Sequence, residues 1–139
     1  MAQINPYLTF NGNCAEAFDF YKSVFGGDYA YIGKFGDMPS EHPLPDDVAD
    51  LIMHVSLPIS AETTLMGSDA NEHFGQTAQF GSNVSISINT SSEAEAQNLF
   101  NGLSQGGTIS MPLDKTFWGA YFGMLTDKFG IHWMVNYDY

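Results

Sequence analysis

Residues 13–25 read NCAEAFDFYKSVF, and this stretch decides the fold. Its apolar side chains recur at positions 14, 17, 18, 21 and 25, which is the spacing of one face of an α-helix. Asn13 and Glu16 have the spacing of a helix-capping pair, and Gly26-Gly27 permits the left-handed backbone that ends many helices. The pattern predicts an amphipathic helix that is bounded at both ends.

The same pattern returns later in the chain. Ser92 and Glu95 have the capping spacing, and Gly106-Gly107 follows at the other end of the segment. The interval between the two copies is constant, from position 13 to 92 and from 16 to 95. The apolar stripe of the second copy consists of Ala96, Leu99, Phe100 and Leu103. Such a repeat indicates two copies of one structural unit.

Each predicted helix follows a strand. Residues 4–10 are a short β-favouring run before the first helix, and residues 84–88 alternate apolar side chains with serines before the second. Further strand patterns lie at 28–35, 51–58 and 63–68, and again at 108–112, 117–126 and 131–137. Each half is therefore predicted to be a βαβββ module. At 139 residues we expect one α+β domain spanning 1–139, with internal repeats at about 1–69 and 82–139.

Two polar segments separate the strand patterns. Residues 36–47 hold three prolines and no periodicity, so they are predicted to be a long excursion, either a lid or a dimer contact. Residues 70–82 are predicted to link the two halves. His42 and His73 lie in these segments without a partner pattern, and we expect both at the surface.

The charge of the chain excludes several classes of partner. It has 16 acidic residues against 4 Lys and Arg, a net charge of -12 and a pI near 4.2, which disfavours nucleic acid and anionic membranes. No stretch approaches the length of a membrane span. The single cysteine, Cys14, falls on the apolar stripe of the first helix and has no second cysteine to pair with. A cytoplasmic location is predicted.

Three stretches carry a resemblance to a known family. They are PYLTFNGNCAEA at 6–17, LMGSD at 65–69, and TFWG at 116–119 with DKFGIHWMVN at 127–136. The chain resembles the PhnB-like proteins of the vicinal oxygen chelate (glyoxalase/bleomycin resistance/dioxygenase) superfamily. The resemblance implies a glyoxalase-like fold, in which two βαβββ modules form an open, U-shaped mixed sheet around a ligand cleft with the helices outside. It also implies a homodimer.

The resemblance further implies where a metal would be held. Metal-dependent relatives place histidines near the start of the first strand of each half and carboxylates on the last strands. The matching positions here read Pro6, Asn83 and Met134, which are not typical ligands for a divalent ion. No cofactor is therefore predicted. Relatives have also carried a demethylubiquinone methyltransferase label, but this sequence lacks a glycine-rich nucleotide loop between a strand and a helix.

Strand alternation predicts which side chains face the cleft. His132 and Asn136 share a face with Met134, while Val84, Ile86 and Ile88 are expected to pack beneath the helix. His54 and His132 are each either a general base or a hydrogen-bonded residue of the cleft wall. Asp69 is either a ligand contact or a turn cap. Trp118 either stacks on a ligand or packs against other side chains. The predicted cleft residues are His54, Ser56, Asp69, Ser85, Ser87, Trp118, His132, Met134 and Asn136.

Three functions are compatible with these residues. The first is a metal-free protein that binds an unknown small molecule in the cleft. The second is an enzyme acting on a small oxygenated substrate, through a histidine base or a nonstandard divalent metal held by His54, His132 and Asp69. The third is a dimeric module whose own side chains fill the cleft. The sequence leaves the choice between enzyme and binding protein open.

Overall fold

The structure is a computed structural model that describes residues 2–37 and 44–139, so the predictions for His42 and the centre of the proline-rich segment lie outside the described residues. The chain divides into two compact units, one ending at Gln79 and the other running from Phe80 to Tyr139. Each unit contains one four-stranded mixed sheet and one long helix. None of the helices in the described ranges has the length and apolar run that crossing a bilayer requires.

The first unit has the predicted βαβββ order. Its sheet has the order β1-β4-β3-β2, with β1 parallel to β4 and the other pairs antiparallel. Its elements are β1 (Tyr7–Phe10), α1 (Cys14–Phe25), β2 (Tyr31–Lys34), the short helix α2 (Asp46–Ala49), β3 (Ile52–Pro58) and β4 (Thr64–Asp69). The helix α2 begins in the last two residues of the 36–47 segment and continues to Ala49.

The second unit repeats this arrangement with the order β5-β8-β7-β6, and β5 is parallel to β8. Its elements are β5 (Ile86–Asn89), α3 (Glu93–Leu103), β6 (Thr108–Lys115), β7 (Ala120–Thr126) and β8 (His132–Asp138). The predicted α+β class and both βαβββ modules are therefore confirmed. The packing expected for Val84 is wrong: 72% of this residue is exposed, because pairing with β8 begins only at Ile86, opposite Trp133.

Each long helix packs on its own sheet through aromatic rings. In the first unit, Phe18 lies edge-on to Phe10 and Tyr21, with ring centroids 6.3 and 5.5 Å apart. Gly67 in β4 makes room for this ring, since a Cβ there would lie 2.7 Å from Phe18. Gly123 in β7 does the same for Phe100 of α3. In both units, a glycine in a strand beneath a phenylalanine ring of the helix thus sets the distance between the helix and the sheet.

The two long helices begin differently. Ser92 Oγ accepts a hydrogen bond from the N–H of Glu95 (3.0 Å), and the Glu95 carboxylate accepts one from the N–H of Ser91 (3.0 Å), which confirms the predicted capping box. The corresponding prediction for α1 is wrong, because the Asn13 side chain makes no capping bond. Instead Asp69 Oδ1 accepts hydrogen bonds from the N–H groups of Gly12 and Cys14, both at 2.9 Å.

Candidate functional site

A histidine lies at the centre of one face of the first sheet. Strand registers place Tyr7 beside Met66, Met66 beside Ser56, and Ser56 beside Tyr31, so these side chains form a row across all four strands. His54 lies two residues before Ser56 on the same strand and face. The opposite face carries Leu65, Val55 and Leu57, which pack towards α1. We call the face defined by Tyr7, Tyr31, His54, Ser56 and Met66 the His54 face.

Hydroxyl groups contact both ring nitrogens of His54. Tyr7 Oη lies 3.1 Å from Nδ1, and Ser56 Oγ lies 2.9 Å from Nε2. A hydroxyl can donate or accept a hydrogen bond, so these contacts are compatible with either neutral tautomer and with the protonated ring. Both ring nitrogens are thus hydrogen-bonded within this face, and each hydroxyl offers a path by which a proton can reach the imidazole.

Two tyrosine rings flank this imidazole. The ring of Tyr7 stacks on His54 at 5.6 Å between centroids, and the tilted ring of Tyr31 lies at 5.9 Å. Gly33, paired with His54 across the sheet, permits the Tyr31 conformation, since a Cβ at this glycine would clash with the phenol oxygen. About half of each tyrosine is exposed. The face therefore offers aromatic surface and a proton-transfer group side by side.

Asp69 does not belong to the His54 face. It alternates along β4 with Leu65 and Gly67, is only 3% exposed, and uses its second oxygen, Oδ2, to accept the N–H of Ile52 at 2.9 Å. Its carboxylate thus accepts three backbone N–H groups. This corrects the assignment of Asp69 to the ligand-facing side and removes it as a metal partner of His54, because the two side chains lie on opposite faces of one sheet.

His132 is held differently from His54. In the second unit its Nε2 lies 2.8 Å from the carbonyl oxygen of Gly81, and its Nδ1 lies 2.7 Å from Thr126 Oγ1. Since a carbonyl only accepts, Nε2 must carry the proton, and the neutral ring then accepts from Thr126. These contacts tie the 80–85 segment to the sheet, so His132 performs a structural task that His54 does not.

The other predicted site residues of the second unit are spread over several places. Met134 and Asn136 share a face with His132, as predicted, and Ser87 lies beside Met134 in the register. Ser85 is exposed and precedes β5. Trp118, 57% exposed, lies between β6 and β7, with Phe117 and Phe122 as ring neighbours at 5.0 and 6.1 Å. A single cleft shared by these residues and His54 stays a prediction.

The residues at the positions where the resemblance implies metal ligands do not fit a divalent ion. Pro6 contributes no side-chain donor, and its carbonyl oxygen accepts the N–H of Met66 at 3.1 Å. Asn83 offers an amide and Met134 a thioether, which are poor ligands for hard divalent ions. Within the described ranges, no three His, Cys, Asp or Glu side chains are grouped so that they could hold a metal.

Comparison with known proteins assigns the family. Residues 2–136 match the family described as 3-demethylubiquinone-9 3-methyltransferase. The chain belongs to this family, the PhnB-like proteins. It is 32% identical to protein YjdN of Escherichia coli (strain K12), over 96% of this chain and 93% of that protein.

Solved structures agree with this assignment. Protein PA1353 from Pseudomonas aeruginosa is 46% identical with a TM-score of 0.86, covering 99% of this chain and 98% of that one. A Bacillus cereus PhnB protein, described as a candidate 3-demethylubiquinone-9 3-methyltransferase, is 25% identical with a TM-score of 0.76, covering 98% and 99%. A glyoxalase/bleomycin resistance protein from Albidiferax ferrireducens T118 shares the fold, with a TM-score of 0.66 at 14% identity and 97% coverage of both chains. The predicted glyoxalase-like fold is confirmed for this PhnB-like chain.

Sequence reasoning missed the two tyrosines of the His54 face. Tyr7 lies in a run where Leu8 and Phe10 face the helix, so strict alternation would have assigned Tyr7 and Thr9 to the other side. Tyr31 could not be placed in this way, because β2 is only four residues long and its register shifts between Gly33 and Lys34. Its contact with His54 depends on strand pairing that the sequence does not encode locally.

Proposed function

We propose that this PhnB-like protein binds a small, partly apolar molecule on the His54 face without a glyoxalase-type metal site. The main support is the position of His54 between the rings of Tyr7 and Tyr31, with Met66 in the row of side chains that crosses this face. Aromatic rings supply stacking surface, and the hydrogen-bonded imidazole supplies a polar contact that fixes orientation. The net charge of -12 favours a cationic or neutral ligand over an anionic one.

The methyltransferase activity in the family's description is not part of this proposal. Strand-to-helix turns that bind nucleotide cofactors in doubly wound folds use several glycines around a phosphate or ribose. The turn between β1 and α1 here contains one glycine, Gly12, whose N–H is already bonded to Asp69. The sheet is also not the doubly wound parallel sheet of those folds.

A thermal-shift and calorimetry screen tests the binding proposal. Cationic, neutral and anionic aromatic metabolites are compared at pH 7, with the imidazole proton resonances of His54 as a direct reporter. We expect a cationic or neutral aromatic compound to raise the midpoint and shift the His54 signals, and Gly33→Ala to weaken binding about threefold or more by displacing Tyr31. Tyr29→Phe is the control, because its hydroxyl bonds Asp19 away from this face.

Two outcomes would overturn the proposal. One is a screen in which no compound raises the midpoint of the wild-type protein. The other is a binder whose affinity is unchanged in both His54→Ala and Gly33→Ala, since such a ligand does not use the His54 face.

The chain of contacts from Ser56 through His54 to Tyr7 favours a second candidate function, general-base chemistry on a small oxygenated substrate. The imidazole would remove a proton next to a carbonyl group and return it to the same or another carbon. Deuterium incorporation into hydroxyacetone and dihydroxyacetone in D₂O tests this, followed by proton NMR. Exchange that is faster with wild-type protein than with His54→Ala supports it, and equal rates contradict it.

We also propose a homodimer located in the cytoplasm. The supporting feature is an apolar group at the edge strand β6 and the turn that follows it: Phe117 is 98% exposed, and Ile109, Met111 and Trp118 are exposed as well. Single apolar residues at a surface are common, but several along one edge of a sheet support an interface there. Sedimentation of wild-type protein against Phe117→Ser tests the dimer; a monomeric wild type at micromolar concentration contradicts it.

The buried thiol of Cys14 supports the proposed cytoplasmic location, because it suits a reducing compartment.

A further inference from the structure

Three methionines lie side by side on one face of the second sheet. Strand pairing places Met124 of β7 beside Met134 of β8 on one side and beside Met111 of β6 on the other. Residues paired across an antiparallel sheet point to the same face, with their Cβ atoms about 4.5–5.5 Å apart. The three side chains therefore form a row across the sheet, which we call the methionine row.

The methionine row lies on the face that α3 does not cover. Along β7 and β8 its members alternate with residues such as Leu125 and Trp133, which are buried on the side of the helix. Met111 is 43% exposed, and Met124 and Met134 are half-buried. Solvent, and any ion dissolved in it, therefore reaches this row.

A β-bulge brings Met111 into the row. Ile109 pairs with Leu125, whose side chain faces α3, so regular alternation would send Met111 to the helix side as well. The register shifts between Ile109 and Met111, and the extra residue moves Met111 to the side of Met124. Bulges that re-aim one side chain are over-represented beside functional sites. The edge strand thus leaves regular pairing at the point that completes the row.

Thioether sulfur gives this row a chemistry that other apolar side chains lack. The sulfur keeps lone pairs that can bind a metal, and such soft ligands select Cu(I) rather than the hard divalent ions. An unbranched side chain with three rotatable bonds can turn its sulfur towards a common point. Because adjacent strands lie about 4.8 Å apart, an ion above Met124 is within reach of the sulfurs of Met111 and Met134.

The charges around the row favour a cation. Asp114 is exposed and pairs with Phe122, which lies two residues before Met124, so this carboxylate belongs to the same face. The neighbouring Lys115 pairs with Tyr121 and points to the other face. The net charge of -12 adds to the attraction. Three thioethers are uncharged ligands, and a monovalent ion tolerates such a shell better than a divalent one, whose charge costs more to remove from water.

We propose that the methionine row binds a soft monovalent metal ion, Cu(I) or Ag(I), through its three sulfur atoms. His132 lies two residues before Met134 on the same face, but both of its ring nitrogens are already hydrogen-bonded, so the sulfurs are the ligands. No residue of the row belongs to the His54 face. This site and the proposed function can therefore fail independently.

A silver titration followed by NMR tests the proposal. Full-length protein labelled with ¹³C at the methionine methyl groups is titrated with silver nitrate in chloride-free buffer at pH 7. We expect the methyl signals of Met111, Met124 and Met134 to shift together, while the signal of Met53 in the first unit stays unmoved. Zinc, which prefers nitrogen and thiolate ligands, should leave all of these signals in place. Cu(I) added under anaerobic conditions should shift the same three signals as silver.

Conservative variants identify the ligands. Met111→Leu, Met124→Leu and Met134→Leu nearly keep the apolar volume and should fold. Each should weaken silver binding about tenfold or more, since even the loss of a supporting contact around a metal commonly has an effect of this size. Met53→Leu is the matched control and should bind silver as the wild type does. Cys14→Ala should also leave the affinity unchanged, because the thiol is completely buried.

Three results would overturn the proposal. The first is a set of methyl signals in the row that neither silver nor Cu(I) in excess moves. The second is silver binding by the three leucine variants that is as tight as in the wild type. The third is loss of binding in Cys14→Ala, which would assign the ion to the thiol instead of the methionine row.

Discussion

The two long helices occupy equivalent places in the repeat but obtain their N-terminal hydrogen bonds in different ways. The helix α3 is capped by Ser92 and Glu95, which belong to its own segment. The helix α1 is capped by Asp69, which lies 55 residues beyond Cys14 and also binds the start of β3 through Ile52. A local cap stabilises one helix, whereas the carboxylate joins a helix and two strands. We therefore expect removal of the two caps to lower the free energy of unfolding by different amounts.

Replacing the long-range cap should have the largest effect. Asp69→Ala leaves the N–H groups of Gly12, Cys14 and Ile52 without their acceptor, two of them in buried surroundings. We expect a loss of about 3–5 kcal/mol in the free energy of unfolding, measured by urea denaturation at pH 7. Asp69→Asn keeps the volume and one oxygen and should lose less. A loss below about 1 kcal/mol for both variants would show that the carboxylate does not hold α1.

The thiol of Cys14, which lies beside this cap, should make the free energy of unfolding depend on pH, with an effect of intermediate size. Burial, and secondly the charge of Asp69, raise the pKa of Cys14 far above the ordinary thiol range. The unfolded chain ionises this thiol near pH 8.5 while the folded chain keeps it protonated. The stability is therefore fully present below about pH 8.5 and is lost as the pH rises towards the folded pKa, with a slope approaching about 1.4 kcal/mol per pH unit.

Urea denaturation of wild type and Cys14→Ala between pH 7.5 and about 9.5 measures this contribution. The variant should lack the part of the slope that belongs to the thiol. Two parallel curves would mean that the thiol ionises equally easily in both states.

Removing the local cap should have the smallest effect. Ser92→Ala deletes the acceptor for the N–H of Glu95 at an exposed helix end, and we expect a loss of about 1 kcal/mol. Asn13→Ala is the matched change at α1 and should cost nearly nothing, since its side chain makes no capping bond. A larger loss for Asn13→Ala than for Ser92→Ala would reverse the comparison between the two helices.

Local pattern was sufficient to predict most of the fold. Helical spacing, the glycine pairs and strand alternation lie within a few neighbouring residues, so both βαβββ modules and the α3 capping box could be predicted. Gly26 and Gly27 have the left-handed backbone expected of them, with φ of 82° and 78°. Asp69 was misjudged because its partners come from the start of α1 and of β3. Only the packed chain brings these backbone groups to one carboxylate.

The candidate site was predictable only in part, for the same reason. His54 and Ser56 were placed on one face by alternation within a single strand, and the structure has them there. Tyr31 reaches His54 through pairing between β2 and β3. A concave region of the first unit, lined by Asn11, Val48 and Asn71 among others, likewise joins three segments that are separated along the chain. Such sites depend on tertiary contacts, which a reading of neighbouring residues cannot supply.

The cap from Asp69 also has a consequence for the order of folding. Because α3 carries its cap in its own sequence, it can nucleate as soon as its residues are available. The helix α1 is synthesised first, yet its capping partner leaves the ribosome only after β3 and most of β4 have been made. Contacts between distant residues form slowly because a long loop must close first. We therefore expect the N-terminal helix to become fully stable late in folding, when the last strand of its own sheet joins β1.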